Sequence, residues 1–262
     1  DDYAWLKERL GSQVRLSPYF GTFMLAMNNT RPPFDDPRLR QAMVLAVDRD
    51  ILTRQLMRGL YLPAEGIVPP LPGYPAVKPE WATLTREQRL ARARELYAQA
   101  GYSKENPLEV ELTYPTTTPD TRRILEAVAA MWRINLGANV RLANEEWKVF
   151  NQNRNIRKLR LYFASWIGDY PDPQTFLALP LPGSGQNDMG YDNPRYTATV
   201  KAALDATDPV ERANLYNEAE RILKDLMGDG RAGTTSPAAK DAPGGTTGRP
   251  INTNKRAHFI TS

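Results

Sequence analysis

The chain contains no cysteine and a single histidine, His258. Without thiols there are no disulfides, no thiolate metal sites and no cysteine nucleophile. With one histidine near the C-terminus, neither a Ser-His-Asp triad nor a His-rich zinc site has the residues it needs. No run approaches the roughly 20 apolar residues that span a bilayer, so no transmembrane segment is expected. A signal-peptide pattern is also missing, and the start at Asp1-Asp2 reads as a mature or trimmed chain. Neither sign of charge dominates: 34 basic residues face 30 acidic ones. That balance leaves no basic stripe, so nucleic acid is not an expected partner.

What is present is the composition of a globular α/β protein. The 262 residues are 41% hydrophobic and 24% charged, with ample length to bury a core. Phe20 to Met27 is an apolar run that reads as a buried strand. Asp36-Pro37 then opens a helix, with an N-cap oxygen and a proline where its missing N–H is harmless. Asp48 caps a second, carrying Ile51, Leu52 and Leu56 up to Gly59. A proline-rich stretch from Tyr61 to Pro79 is long enough to require a structural or binding role. Thr85 and Gln88 have capping-box spacing for a helix that closes at Gly101.

Leu108, Val110, Leu112 and Tyr114 alternate with polar residues, as in a half-buried strand. A helix from Thr118-Pro119 to Gly137 follows, and Val140 and Leu142 mark the next strand. Strand, helix and strand with short connections make a parallel βαβ unit. A short helix bears Trp147 and Phe150, and a strand places Leu159, Leu161 and Phe163 on one face. Two late helices carry Val200 and Leu204, then Tyr216 to Leu226 after an Asp208-Pro209 start. Three parts result: a charged lead (1–19), a periodic body (20–227) and a Gly/Thr/Pro-rich tail (228–262). The tail's composition buries too little apolar surface to offset chain entropy, so it is expected to be flexible.

Several ordered segments carry a resemblance: NNTRPPFDDPRLRQAMVLAVDRD (28–50), AGY (100–102), WRINLGANVRLANEEWKVF (132–150), SWIGDYPDPQTFL (165–177) and YDNPRYTATV (191–200). Together they resemble the peptide-binding proteins of solute-binding family 5. The resemblance implies one lobe of a type II periplasmic-binding-protein-like fold, with a mixed, mainly parallel sheet flanked by helices. It implies that 20–227 is the C-terminal lobe of a two-lobed clamp and that 1–19 belongs to a first lobe supplied elsewhere. It further implies an oligopeptide ligand, ABC importer membrane subunits as partners of the full-length protein, and export to the periplasm or cell envelope.

Asp169 lies in a loop directly after a buried strand, where α/β folds place ligand contacts. The resemblance implies that its carboxylate meets the peptide's α-ammonium group; a turn-capping role before Pro171 is the alternative. Gly168 and Tyr170 flank it and join the candidate set. Trp166 and Trp147 are similar to tryptophans that shape side-chain pockets, although either reads equally as core. Arg154 aligns with a basic cleft residue, but the polar, basic stretch that follows it also fits a solvated face. Ala26, Thr121 and Phe163 depart from the pattern, standing where oligopeptide-binding relatives have acidic, histidine and arginine residues. No cofactor or metal is expected.

Two rival readings remain. Asp169 and Asp172 could be a catalytic carboxylate pair, but acids three apart among prolines are far more often turn formers, and no enzyme activity is expected. Alternatively, an orphan lobe could act as a protein-interaction domain with little small-ligand binding, since half a clamp lacks the enclosure affinity needs.

Overall fold

The computed structural model describes residues 2–14, 19–74, 77–117 and 119–228. Apart from Gly228, the tail expected to be flexible lies outside the described residues. After a first helix, α1 (Asp2–Leu10), the body contains four strands and seven further α-helices among the described residues: β1 (Gly21–Met27), α2 (Pro37–Leu45), α3 (Arg86–Gln99), β2 (Glu109–Pro115), α4 (Pro119–Leu136), β3 (Asn139–Glu145), α5 (Trp147–Asn155), β4 (Leu161–Ile167), α6 (Gln174–Leu177), α7 (Pro194–Asp205) and α8 (Pro209–Gly228).

The strands form one mixed sheet in the order β1-β4-β2-β3. The alternation in β2 produces the expected parallel pair, with Val110 opposite Val140 and Leu112 opposite Leu142. β4 joins β2 in parallel through Leu112–Leu161 and Thr113–Tyr162, and β1 closes antiparallel on β4. One face is covered by α2, α3 and α4, whose Leu39, Met43, Leu96, Leu125 and Trp132 are buried with Leu112 and Leu161. Trp132 also donates its indole N–H to the Met43 carbonyl at 2.8 Å, satisfying its one polar atom. On the opposite face, Phe150 of α5 packs on Tyr162 and Ala26. A third cluster joins α6, α7 and α8 around Phe176, Tyr196 and Tyr216.

Local chemistry sets the helix ends. Asp36 accepts the Arg38 N–H at 2.8 Å, and Thr85 and Gln88 form the reciprocal capping box. Gly137, at φ +79°, closes α4 and gives its N–H to the Arg133 carbonyl. Two local expectations change. The turns after Asp48 are wide rather than α-helical, with Met57 N–H bonded to Leu52 C=O and Gly59 N–H to Thr53 C=O. There the Thr53 hydroxyl takes the Arg49 carbonyl that a regular ladder would use. Leu159 precedes the strand instead of sharing its face: Asn28 captures its carbonyl, and its side chain packs with Phe150. The proline-rich stretch is anchored, since the Glu220 carboxylate on α8 accepts from Val68 N–H and the Tyr74 hydroxyl.

Candidate functional site

β2, β3 and β4 run parallel, so the loops at their carboxyl ends share one rim of the sheet, where open α/β folds bind ligands. Trp166, Gly168, Asp169 and Tyr170 come together there at the end of β4. Asp169 is exposed, and its position is fixed through the backbone: its N–H donates to Thr175 Oγ1 at 3.3 Å. The same hydroxyl accepts the indole N–H of the half-buried Trp166 at 3.0 Å. Thr175 thus clamps a tryptophan and an acidic residue side by side. Sequence reasoning missed it, because nothing in PDPQT distinguishes a clamp hydroxyl from a helix-start threonine.

Gly168 serves packing. A Cβ there would sit 1.9 Å from the Phe20 ring, which packs edge-on against Phe176 with centroids 4.9 Å apart. Its N–H donates to the Phe20 carbonyl, extending the β1–β4 ladder to the rim. Tyr170 is exposed and bonded to Gln174; burial first, then the nearby Asp172 and Asp169 carboxylates, raise its phenol pKa. Asp172 accepts the Gln174 N–H at 2.8 Å and pairs with Arg212 of α8 at 3.0 Å. It is therefore engaged as a turn and helix anchor rather than poised as a proton-transfer partner of Asp169.

The backbone of β4 also matters. Asn28 N–H bonds the Arg160 carbonyl and Gly168 N–H the Phe20 carbonyl, so even-numbered residues of β4 exchange bonds with β1. Odd-numbered residues direct their N–H and C=O toward β2. Continuing the β2–β4 register places Pro115, the last residue of β2, level with Ala164. Beyond that level Ser165 and Ile167 belong to the stretch of β4 that runs past the last residue of β2, next to Trp166 and Asp169.

Trp147 and Arg154 lie on α5, at the rim beyond β3. Two ladder spacings separate β3 from β4, about 10 Å. Glu146 caps α5 by accepting Lys148 and Val149 N–H groups, and this holds Trp147 at the rim, 54% exposed and stacked on Phe150. Arg154 is turned elsewhere. Its Nε lies 2.7 Å from Asp188 Oδ2, both side chains largely buried, which ties α5 to the loop before α7. Burial pushes the Asp188 carboxyl pKa up, and Arg154 and Arg157 pull against that shift.

A cavity of about 480 Å³ runs along β1, lined mainly by apolar side chains from β1, α2 and α4. Ala26, Thr121 and Phe163, the three departures from the family pattern, all line it.

A family model described as bacterial extracellular solute-binding proteins, family 5 Middle, matches residues 1–188. The chain is 35% identical over 219 residues to the periplasmic oligopeptide-binding protein OppA of Escherichia coli, covering 83% of this chain and 40% of that protein. It is 33% identical over 222 residues to the periplasmic murein peptide-binding protein MppA of the same organism, covering 84% and 41%. Among solved structures, unliganded MppA superposes with a TM-score of 0.80 at 32% identity, over 86% of this chain and 44% of that one. Haemophilus influenzae OppA in complex with RPPGFSPFR gives 0.80 at 30% identity, over 87% and 45%. The chain therefore spans about two fifths of the length of the curated relatives it matches.

Proposed function

The chain belongs to family 5 of the bacterial extracellular solute-binding proteins, and on that premise we propose that it binds oligopeptides as part of a substrate-delivery protein for an ABC importer, without catalysis. The observation that carries this reading is the rim of β4: an exposed carboxylate, Asp169, held beside Trp166 by Thr175 where the strand runs past the last residue of β2. Every peptide carries one α-ammonium group and a regular main chain. A fixed acid recognises the first, and the backbone of a strand that outruns its neighbour suits the second, without reading side chains. Trp166 and Trp147 then border the space for side chains, Gly168 and Tyr170 shape the turn, and Arg154 contributes through Asp188 by holding α5 in place.

Residues 20–227 form the peptide-binding lobe in this reading. Residues 1–19 and a further lobe complete the clamp, and residues 228–262 lie apart from the site. The relatives' periplasmic names support an exported location. Ala26, Thr121 and Phe163 stand uncharged where the resemblance implies acidic, histidine and arginine residues in oligopeptide-binding relatives, so their end-charge preference is not carried over to this chain.

Isothermal titration with a mixed tripeptide pool tests the proposal. Saturable heat that Asp169→Asn abolishes is the expected result. Undetectable heat at millimolar peptide overturns it.

A further inference from the structure

α5 closes on an arginine where a glycine would be expected. Arg157 stands at φ +54°, in the left-handed region that disfavours residues with a Cβ. Its N–H donates to the Arg154 carbonyl at 2.8 Å, and the next N–H, of Lys158, donates to the Asn153 carbonyl at 2.9 Å. This is the paired closure at which helices commonly place glycine. The same chain does so elsewhere, ending α3 on Gly101 at φ +89° and α4 on Gly137 at φ +79°. An arginine held in a glycine conformation directs attention to what its side chain does.

That side chain reaches the loop after α6. Arg157 Nη2 donates to the Asn187 carbonyl at 3.2 Å, and Nη1 lies 3.5 Å from the place a Cβ would take on Gly190. Asn187 braces this loop from within: its buried amide donates to the Pro180, Leu181 and Tyr191 carbonyls and accepts the Tyr191 N–H. Three residues earlier on α5, Arg154 meets the adjacent Asp188 at 2.7 Å. Two guanidiniums thus grip consecutive residues of one braced loop. Both ends of this connection lead to the candidate site. α5 is a nine-residue rod, about 13 Å long, with the arginines at one end and Trp147, 54% exposed, at the other. The loop runs back through α6 to Thr175, which holds Trp166 and the Asp169 N–H.

We propose that Arg157 is a positioning residue for ligand selection. By fastening α5 to the loop after α6, it sets where Trp147 stands relative to Trp166 and Asp169, and so the size of ligand side chain accepted between the two indoles. A relaxed glycine at this position would favour the fold but leave the helix without this hold, the usual opposition between stability and a fixed site. The selection of side chains rests on the peptide-binding reading; the coupling of Arg157 to Trp147 does not.

Arg157→Gly in the full chain separates this role from a structural one, because it relaxes the backbone and removes the guanidinium together. Its unfolding midpoint should equal or exceed that of wild type. Fluorotryptophan labelling gives one fluorine resonance for each of the five tryptophans, with the Trp147 line identified by Trp147→Phe. In the free chain, Arg157→Gly should move the Trp147 line and leave that of the buried Trp132 in place. Arg157→Lys keeps a cation that can reach the Asn187 carbonyl and should return the line toward wild type. Titration with Ala-Gly-Ala, Ala-Leu-Ala and Ala-Trp-Ala measures selection. Arg157→Gly should change the ratio of Kd values for the glycine and tryptophan peptides by about tenfold or more, the scale on which pocket size sorts apolar side chains. Three results overturn the proposal: an unmoved Trp147 line, an unchanged ratio, or a midpoint and all affinities that fall together. Wild type that binds none of these peptides would sink the peptide reading and the selection role with it, while the fluorine shift decides the coupling independently.

Discussion

Thr175 Oγ1 accepts the indole N–H of Trp166 at 3.0 Å, and one hydrogen-bond acceptor thereby fixes the tryptophan at the rim of the sheet. Because the same oxygen takes the Asp169 N–H, the two groups proposed to meet a peptide are positioned by a residue that need not touch it. Thr175→Val keeps the shape and removes the acceptor, leaving two N–H groups without their partner. A stability loss of ~1–3 kcal/mol is expected, with tripeptide affinity reduced about tenfold, equivalent to 1.4 kcal/mol. Thr175→Ser should restore both. Denaturant midpoints and titration read the two effects separately.

Gly168 is needed because Phe20 occupies the place of a side chain. Gly168→Ala should displace the Phe20 ring from Phe176 and cost ~1–3 kcal/mol. Combining it with Phe20→Ala should recover part of that loss, giving a double-mutant coupling well above the few tenths expected for independent sites. Additive losses would show that the ring contact is not the reason for glycine here.

Asn28 is fully buried and satisfied on both ends of its amide. It donates to the Arg157 and Leu159 carbonyls and accepts from the Thr30 N–H and hydroxyl. Asn28→Ala strands several of these groups, and a loss of ~3 kcal/mol is expected in thermal or denaturant unfolding. Asn28→Asp should be equally harmful, because it keeps the acceptor and removes the donors.

Two carboxylates should bend the acid limb of the stability curve in opposite senses. The Asp36 side chain accepts from Arg38, and this holds its pKa below the ordinary value of 3.8. A lowered folded pKa gives stability that is present above the unfolded value and lost as pH falls through the folded one. Asp36→Ala should therefore cost about 1 kcal/mol at neutral pH and flatten the rise in stability just below pH 4. Asp188 has a raised pKa, chiefly through burial. Its stabilising contribution is present below the unfolded value and declines as pH rises to the folded one, so Asp188→Asn should steepen the same limb. Unfolding curves between pH 2.5 and 6, a range set by these directions, measure both slopes.

Asp188→Asn also reports on Arg154. Loss of the carboxylate leaves a largely buried guanidinium without its charge partner but also removes a carboxylate that burial disfavours, so the two effects are expected to offset each other at neutral pH. If Arg154 acts only by holding α5, the variant should weaken peptides with and without a terminal carboxylate equally. A selective gain for carboxylate-ended peptides would show instead that Asp188 masks a ligand contact.

Much of this architecture was legible from local chemistry. Asp36, Thr85 and Asp208 cap their helices with their own oxygens, and the alternation around Leu112 sets a half-buried strand whatever surrounds it. Those outcomes depend on neighbours a few residues away. The candidate loop was legible as well, since GDYP after an apolar strand marks a rim. Thr175, the Asp172–Arg212 pair and the Arg154–Asp188 pair were not, because each joins residues brought near by packing between elements.

The sequence by itself determined the parallel unit and the acidic residue at the strand end, because capping and periodicity act through local geometry, and its ordered segments carried the resemblance to the family. Tertiary structure decided which backbone groups point toward which neighbouring strand. The register of β4 against β1 and β2 carries Ser165 and Ile167 past the end of β2 and sets Leu25 and Met27 along a cavity. Register is a relation between strands distant in sequence, and a one-residue slip would reverse which groups point outward.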